Sequence, residues 1–216
     1  MRTMSRSSTP SHLGFIVFMV LLNLIVTADI GLDAPLIVKI TELYGISDFQ
    51  FSLDLYAPFL ALTLVFTFFW GYLSDRLSRK KILIVTVLLA DFFILGTALA
   101  LYRDWPFWAM AGCRVASAIG LAGVIPVSFS MVVDVVPPGE RAGAFAWMGI
   151  AGLLGTGMGF LLSGLLAWMG VFVPYLIGAG LPSAMSSGRM GFRICPGRLV
   201  PAGPGPGADR GSAGRG

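Results

Sequence analysis

Long apolar runs are the feature that most limits what this chain can fold into. They cover about residues 13–31, 55–73, 82–101, 107–133, 142–168 and 171–181. A helix needs about 20 apolar residues to cross a hydrocarbon core roughly 30 Å thick, and the first five runs reach that length. The runs show no period-2 alternation, which excludes a barrel and leaves helices to pair the backbone amides in lipid. The sequence therefore predicts an all-α membrane protein, a bundle of five to six transmembrane helices.

The composition agrees with a membrane location. The chain is 56% hydrophobic and 12% charged, whereas soluble domains carry roughly 25% charged residues. The formal charge is +4, but the cations cluster at the ends of apolar runs, so we expect them to orient the chain and not to bind nucleic acid. Cys113 and Cys195 form neither a disulfide framework nor a metal-binding spacing. No cofactor and no metal site are predicted.

The distribution of basic residues predicts the orientation of the bundle. One side of the membrane receives Arg2, Arg6, Arg76, Arg79, Lys80, Lys81 and Arg141. The other side receives only Lys39 and Arg103. Because cytoplasmic loops carry the excess of Lys and Arg, we expect a multi-pass protein of the plasma (inner) membrane with a cytoplasmic N-terminus. Residues 1–12 are interpreted as a cytoplasmic segment before an uncleaved first helix, not as a signal peptide.

The two ends of the chain differ in character. We expect residues 13–181 to form the helical bundle. Residues 182–216 are built mainly of Gly, Pro, Arg, Ser and Ala and cannot bury enough apolar surface to offset their ordering entropy. Disorder is predicted there, as in a fragment end or a gene read out of frame. The sixth run, 171–181, covers only about 16 Å as a helix, half of what the bilayer needs.

Three ionisable residues fall inside the predicted spans: Asp29, Asp91 and Arg114. A charged group in the bilayer needs a partner and normally faces the bundle interior. We hypothesise that Arg114 lines a central cavity and contacts substrate or an acid, and that Asp29 or Asp91 takes up a coupling proton. The alternative is a static ion pair between two helices. Asp33 and Asp54 are expected near the outer surface, in solvent.

A charged segment, GYLSDRLSRKK at residues 71–81, separates the second run from the third. Its pattern residues are Gly71, Leu73, Asp75, Arg76, Arg79 and Lys80. This order between two membrane helices resembles the loop signature between helices 2 and 3 of the major facilitator superfamily of secondary transporters. Ser78 stands where that family usually has glycine, although some branches, spinster-like transporters among them, look similar at this position.

Further positions resemble the same family in the order that it prescribes. They are Arg114 with Gly120 and Gly123 in helix 4, Asp134 followed by Pro137, Pro138, Glu140 and Arg141 in the next loop, and Gly155, Gly159 and Gly164 in helix 5. The resemblance covers residues 13–181 and implies the N-terminal six-helix half of a major facilitator fold, whose members normally have two such halves.

The resemblance also implies a role for the charged segment. The cytoplasmic gate motif comprises Gly71, Asp75, Arg76, Arg79, Lys80, Asp134 and Arg141. Asp75, Arg79 and Asp134 are expected to gather at the cytoplasmic ends of helices 2, 3 and 4, where partial solvation tolerates ion pairs. By resemblance this cluster latches the two halves of a transporter and breaks as access alternates. The alternative, for Lys80 and Lys81, is that the cations only orient the chain.

Glycines are predicted to bring helices close together. The expected packing positions are Gly120, Gly123, Gly152, Gly155 and Gly159, and Gly71 is likewise expected to permit a close approach. In helix 5 the spacing of three and four residues places small residues on one face, and a packing groove is favoured over a gating role. Phe160 occupies the place of a proline found in antiporter branches, which weakens that interpretation.

The predicted function is secondary transport of a small molecule by alternating access, with protons as a possible coupling ion. Because only the first half of the family pattern is matched, we expect a fragment that is inactive alone and needs the missing C-terminal half. The alternatives are a half-size protein that pairs with a second copy, or a non-transporting membrane partner. The substrate is undetermined, with Arg114 favouring an anion.

Enzyme functions are not supported by the sequence. Ser163 and Gly164 form a faint nucleophile-like pair, as in an intramembrane serine protease. The only histidine, His12, precedes the first helix at the opposite face, so no base stands at the right depth. No Gly-rich phosphate loop with lysine follows a strand, and an ATP-driven pump is therefore not predicted.

Overall fold

The computed structural model describes residues 10–187 of the chain, with side chains for residues 13–180. The helices are α1 Pro10–Gly31, α2 Asp33–Tyr44, α3 Asp48–Phe51, α4 Ala57–Arg76, α5 Arg79–Tyr102, α6 Phe107–Val135, α7 Arg141–Leu166 and α8 Val173–Ser187, with a π-helical turn at Ser52–Tyr56 between α3 and α4. Within the described residues the fold is all-α, which confirms the predicted fold class.

Five segments are long and apolar enough to cross a membrane. They are Leu13–Tyr44, Asp48–Arg76, Arg79–Tyr102, Phe107–Val135 and Arg141–Leu166. The first two are longer than the predicted apolar runs because helix continues into sequence with polar residues. Leu32 keeps helical dihedrals between α1 and α2, so the chain does not enter a loop after Gly31. The polar stretch that follows forms α2, which buries Leu36 and Ile40.

The helices pack as two groups that share a seam. α1 lies closely against α7, while α6 packs against α4 and α5, and α8 packs mainly against α5. Contacts of α1 with α6 and α8 join the two groups. Much of α4 faces outward, where Leu60, Leu64 and Phe68 are exposed. In a membrane protein such a surface meets lipid or another helix bundle.

Glycines permit the closest helix contacts. A Cβ at Gly120 would collide with the backbone of Ala90 on α5, and one at Gly155 or Gly159 would collide with backbone carbonyls of α1. Gly123 similarly leaves room for the ring of Trp70. These positions let backbones approach as small residues do in membrane helices.

Two of the glycines that were predicted to permit close packing have no neighbour closer than an ordinary contact. A Cβ at Gly152 would make only an ordinary contact, 3.9 Å from the methyl group of Thr27. A Cβ at Gly71 would meet nothing within 4 Å. The close approach expected at Gly71 is therefore wrong for the described residues, because no neighbouring helix comes near enough to need a glycine there.

The last helix is longer than the apolar run that predicted it. α8 has 15 residues, Val173–Ser187, and therefore measures about 22 Å. It continues through residues 182–187, which the sequence assigned to the tail. Arg2 and Arg6 and the predicted disorder of residues 188–216 lie outside the described residues.

Candidate functional site

Arg114 forms the centre of a buried charge cluster. It lies two turns into α6 from Phe107 and is 0% exposed. Its Nη1 donates to Asp29 Oδ2 at 2.9 Å, and its Nη2 donates to Asp33 Oδ2 at 2.9 Å. Nε adds contacts of 3.1 Å to both oxygens of Asp33. The planar guanidinium thus engages two carboxylates at once, with the paired geometry that makes arginine bonds strong.

Asp33 lies inside the bundle and not in solvent. We expected it in solvent, but it is 3% exposed and also accepts a hydrogen bond of 2.7 Å from the hydroxyl of Tyr175. The reason is that helical backbone continues from α1 into α2, with Leu32 N–H donating to the carbonyl of Asp29. Residues four apart on a helix share a face, and Asp33 therefore points inward beside Asp29.

Aromatic rings enclose the guanidinium. The rings of Phe59 from α4 and Tyr175 from α8 both have centroids 5.4 Å from Arg114 Cζ, a distance at which ring faces attract cations. Sequence reasoning missed Tyr175 because it treated the sixth apolar run as too short to matter. The spacing of Asp29 and Asp33 was a usable signal for the second acid, since it matches one helical turn.

The cluster holds more carboxylates than cations. Asp29 and Asp33 share the single guanidinium of Arg114. Asp33 receives bonds on both oxygens, whereas Asp29 Oδ1 has no hydrogen-bond partner within the described residues. It faces α8, close to Gly178. A buried charge without compensation is costly. Of the two acids, Asp29 is therefore the one at which uptake of a proton would be more favourable.

Asp91 and Ser163 are buried but take no part in the ion pairs of Arg114. Asp91 is buried on α5, while Arg114 takes its two carboxylate partners from α1 and α2. Arg114 is fully enclosed, so the expected direct contact with substrate is not available in this conformation. Ser163 is also buried and donates to the carbonyl of Phe160 at 3.4 Å.

A second, exposed cluster lies at the opposite end of α6. Arg79 Nη1 lies 2.5 Å from Asp134 Oδ2 and 2.7 Å from the carbonyl oxygen of Ser130, and its Nη2 lies 4.0 Å from Asp75. It therefore joins the ends of α4, α5 and α6, all within this chain. The Asp75 and Asp134 side chains are 76% and 54% exposed, so water screens these pairs.

The remaining members of the predicted gate motif make separate contacts. Arg76 Cζ lies 4.4 Å from the ring centroid of Tyr72. Arg141 donates from Nε to the carbonyl of Val136 at 2.9 Å, which closes the turn before α7. Lys80 is half-buried in the first turn of α5. The structure thus brings together Asp75, Arg79 and Asp134 from the motif.

Comparison with known proteins gives the family context of both clusters. The family model described as Major Facilitator Superfamily matches residues 11–186. The 3-(3-hydroxy-phenyl)propionate transporter of Escherichia coli is 33% identical over 106 residues, covering 47% of this chain and 25% of that protein. The bacillibactin exporter of Bacillus subtilis is 29% identical over 159 residues, covering 70% and 38%.

Other matches cover similarly limited parts of longer proteins. Synaptic vesicle glycoprotein 2C of Rattus norvegicus is 28% identical over 92 residues, which is 43% of this chain and 12% of that protein. A crystal structure of a bacterial homolog of the human lysosomal transporter Spinster, inward-facing and unoccupied, aligns with a TM-score of 0.73 at 20% identity. It covers 83% of this chain and 42% of that one. The chain thus spans less than half the length of these proteins.

Proposed function

The chain belongs to the Major Facilitator Superfamily, and on that premise we propose that residues 10–187 act as the N-terminal half of a proton-coupled secondary transporter. This half would move a small molecule by alternating access together with a second half. The transporters among its relatives, which it matches over less than half of their length, support this proposal. The family itself is one of transporters and not, in general, of enzymes.

The observation that carries the proposal is the excess of buried carboxylate around Arg114. We propose that Asp29 takes up the coupling proton, because its Oδ1 has no hydrogen-bond partner within the described residues while Asp33 is held by Arg114 and Tyr175. Protonation would remove the charge that binds Arg114 Nη1 to Asp29. Buried ionisable groups in membrane proteins commonly serve as such proton sites.

The location of the cluster suggests how a proton could change the conformation. Asp29 and Asp33 belong to the group of α1, α2 and α7, whereas Arg114 and Phe59 belong to the group of α4, α5 and α6. The ion pairs therefore cross the seam between two closely packed groups. Weakening one pair would loosen the contact between the two groups, which is a local change that proton uptake can couple to a change of conformation.

The Arg79 cluster is proposed as a gate at the cytoplasmic end. Its contacts hold three helix ends in place by charge pairs that water screens, and such pairs can break at little energetic cost. We further propose that this end faces the cytoplasm at the plasma membrane, since the basic residues gather there. The proposed partner is a C-terminal half, with a second copy of this chain or a non-transporting assembly as alternatives.

The test is a comparison of two matched substitutions, Asp29→Asn and Asp91→Asn, in proteoliposomes carrying the complete transport unit. Uptake of 3-(3-hydroxyphenyl)propionate and of bacillibactin, the compounds named for two relatives, is measured with and without an imposed pH gradient. Infrared spectroscopy of the same samples follows carboxyl protonation without needing a substrate. Asp29→Asn should remove both the gradient response and a protonated-carboxyl band, while Asp91→Asn keeps them. If neither substitution alters either signal, Asp29 is not the proton site.

A further inference from the structure

A cavity of about 320 Å³ lies beside the charge cluster, between α1, α4 and α6. Its wall is mainly apolar and includes Phe59, Leu121 and Phe129. Phe59 belongs to both places, because the same ring lies 5.4 Å from Arg114 Cζ. A volume of this size falls within the range of pockets that hold small organic molecules.

A proline creates the polar feature of this wall. Pro126 lies inside α6 and has no N–H, so the carbonyl of Ala122, four residues earlier, loses its helix donor. Thr67 Oγ1 approaches that carbonyl at 3.4 Å, but its shorter bond of 2.7 Å goes to the carbonyl of Thr63. All four residues line the cavity. The wall therefore presents a carbonyl acceptor that the protein itself bonds only weakly.

The cavity offers no compensation for a charged ligand. None of its lining residues is charged in the part of the chain that the structure describes. The guanidinium of Arg114 is fully buried and already paired with Asp29 and Asp33. An ionised molecule would lose its hydration here without gaining a counter-charge. The expectation that Arg114 favours an anion therefore has no support from the geometry.

We infer that this cavity binds an uncharged, mainly apolar small molecule whose O–H or N–H group donates a hydrogen bond to the carbonyl of Ala122. The inference rests on the proposed transport function, since it names the substrate class that such a transporter would carry. Aromatic and aliphatic side chains supply the contact area, while the carbonyl that lacks its helix donor favours a hydrogen-bond donor at one end of the molecule. Through Phe59 the bound molecule lies next to the cluster that holds Asp29.

The test uses three probes of similar shape. 2-Naphthol carries a donor, 2-methoxynaphthalene lacks it, and naphthalene-2-sulfonate carries a negative charge. Binding to the full chain in lipid nanodiscs is measured by equilibrium dialysis, with empty nanodiscs subtracting partition into lipid. We expect saturable binding of 2-naphthol, with 2-methoxynaphthalene about three- to tenfold weaker, as expected for one lost hydrogen bond, and the sulfonate weaker still.

Substitutions test whether the preference for 2-naphthol arises at the carbonyl of Ala122. Pro126→Ala restores an N–H that bonds the carbonyl of Ala122, so 2-naphthol and 2-methoxynaphthalene should then bind about equally. Pro58→Ala, on α4 and not among the lining residues, should leave the preference unchanged. Thr67→Val removes the competing hydroxyl and should preserve or increase the advantage, which keeps the test valid if Pro126→Ala folds poorly. Sulfonate binding as tight as 2-naphthol, no saturable binding, or a preference that survives in folded Pro126→Ala would each overturn the inference.

The outcome separates this inference from the proposed function. If 2-naphthol and 2-methoxynaphthalene bind equally while Asp29→Asn still abolishes the gradient response, only the proposed substrate class is overturned. If 2-naphthol binds more tightly but Asp29→Asn does not change the gradient response, only the proposed proton site is overturned. Binding is measured without a gradient and therefore does not depend on coupling.

Discussion

Arg114 and Asp33 form a two-point pair in the interior of the bundle, with Nε 3.1 Å from each carboxylate oxygen and Nη2 2.9 Å from Oδ2. Arg114 is on α6 and Asp33 is the first residue of α2. The pair therefore joins parts of the chain that pack in different groups.

Asp33→Asn should destabilise the protein by about 1–3 kcal/mol, because the buried donors of Arg114 and Tyr175 lose a charged acceptor, while Asp29 still compensates the guanidinium. Asp29→Asn should cost less, because Asp29 makes a single side-chain bond to Arg114. Unfolding in mixed micelles measures the free energy of unfolding of both variants. The control is Asp54→Asn, since Asp54 is only partly buried. An equal, small effect of Asp33→Asn and Asp54→Asn would contradict the structural importance of the pair.

Gly159→Ala should destabilise the bundle by about 1–3 kcal/mol, as overpacking does in tight interiors. The added methyl group would collide with the backbone carbonyl of Ala28, which cannot move away easily. Gly149→Ala on the same helix is the matched control, because nothing lies within 4 Å of its Cβ position. That control should be neutral or slightly stabilising. Thermal unfolding of both variants decides between a packed and an open α1–α7 contact.

Arg79→Gln should change stability by less than about 1 kcal/mol, since its carboxylate partners are largely exposed. If the proposed gate is correct, transport should nevertheless fall, and the exchange of charges in Arg79→Asp with Asp134→Arg should recover part of it. Lys81→Gln serves as the charge-matched control. A loss of transport that is equal for Arg79→Gln and Lys81→Gln would indicate a role in orientation alone.

The orientation can be tested by cysteine labelling. In a background of Cys113→Ser and Cys195→Ser, Arg76→Cys should react with a membrane-impermeant maleimide only after permeabilisation, because basic loops are expected inside the cell. Arg103→Cys, at the other end of α5, should react in intact cells. Labelling of position 76 from outside would reverse the proposed topology.

Infrared spectroscopy can locate the proton without a substrate. The carboxyl band that forms on proton uptake should disappear in Asp29→Asn and persist in Asp91→Asn, because Asp29 shares a guanidinium with a second acid, Asp33, whose oxygens are both bonded. Exchange into D2O should shift the band, which identifies it as a carboxyl group. A band that is lost in Asp91→Asn instead would move the proton site to α5.

The sequence by itself determined the fold class. Apolar runs of spanning length require helices in lipid, and the family resemblance implies that Asp75, Arg79 and Asp134 lie near one another. It also identified Asp29 and Arg114 as buried groups, because a charge inside an apolar run must face the bundle interior. These conclusions depend on local composition and spacing, which a single chain displays directly.

The tertiary structure decided which groups meet. The expectation that Asp33 is solvated was wrong, because hydrophobicity gives the position of a residue along the chain but not whether helix continues past Gly31. Tyr175 was missed for a similar reason, because the apolar run predicted a sixth helix shorter than α8. The choice of Asp33 over Asp91 as the second partner of Arg114 depends on how helices rotate and pack against one another. Rotation arises from side-chain contacts between distant segments, and local sequence does not contain it.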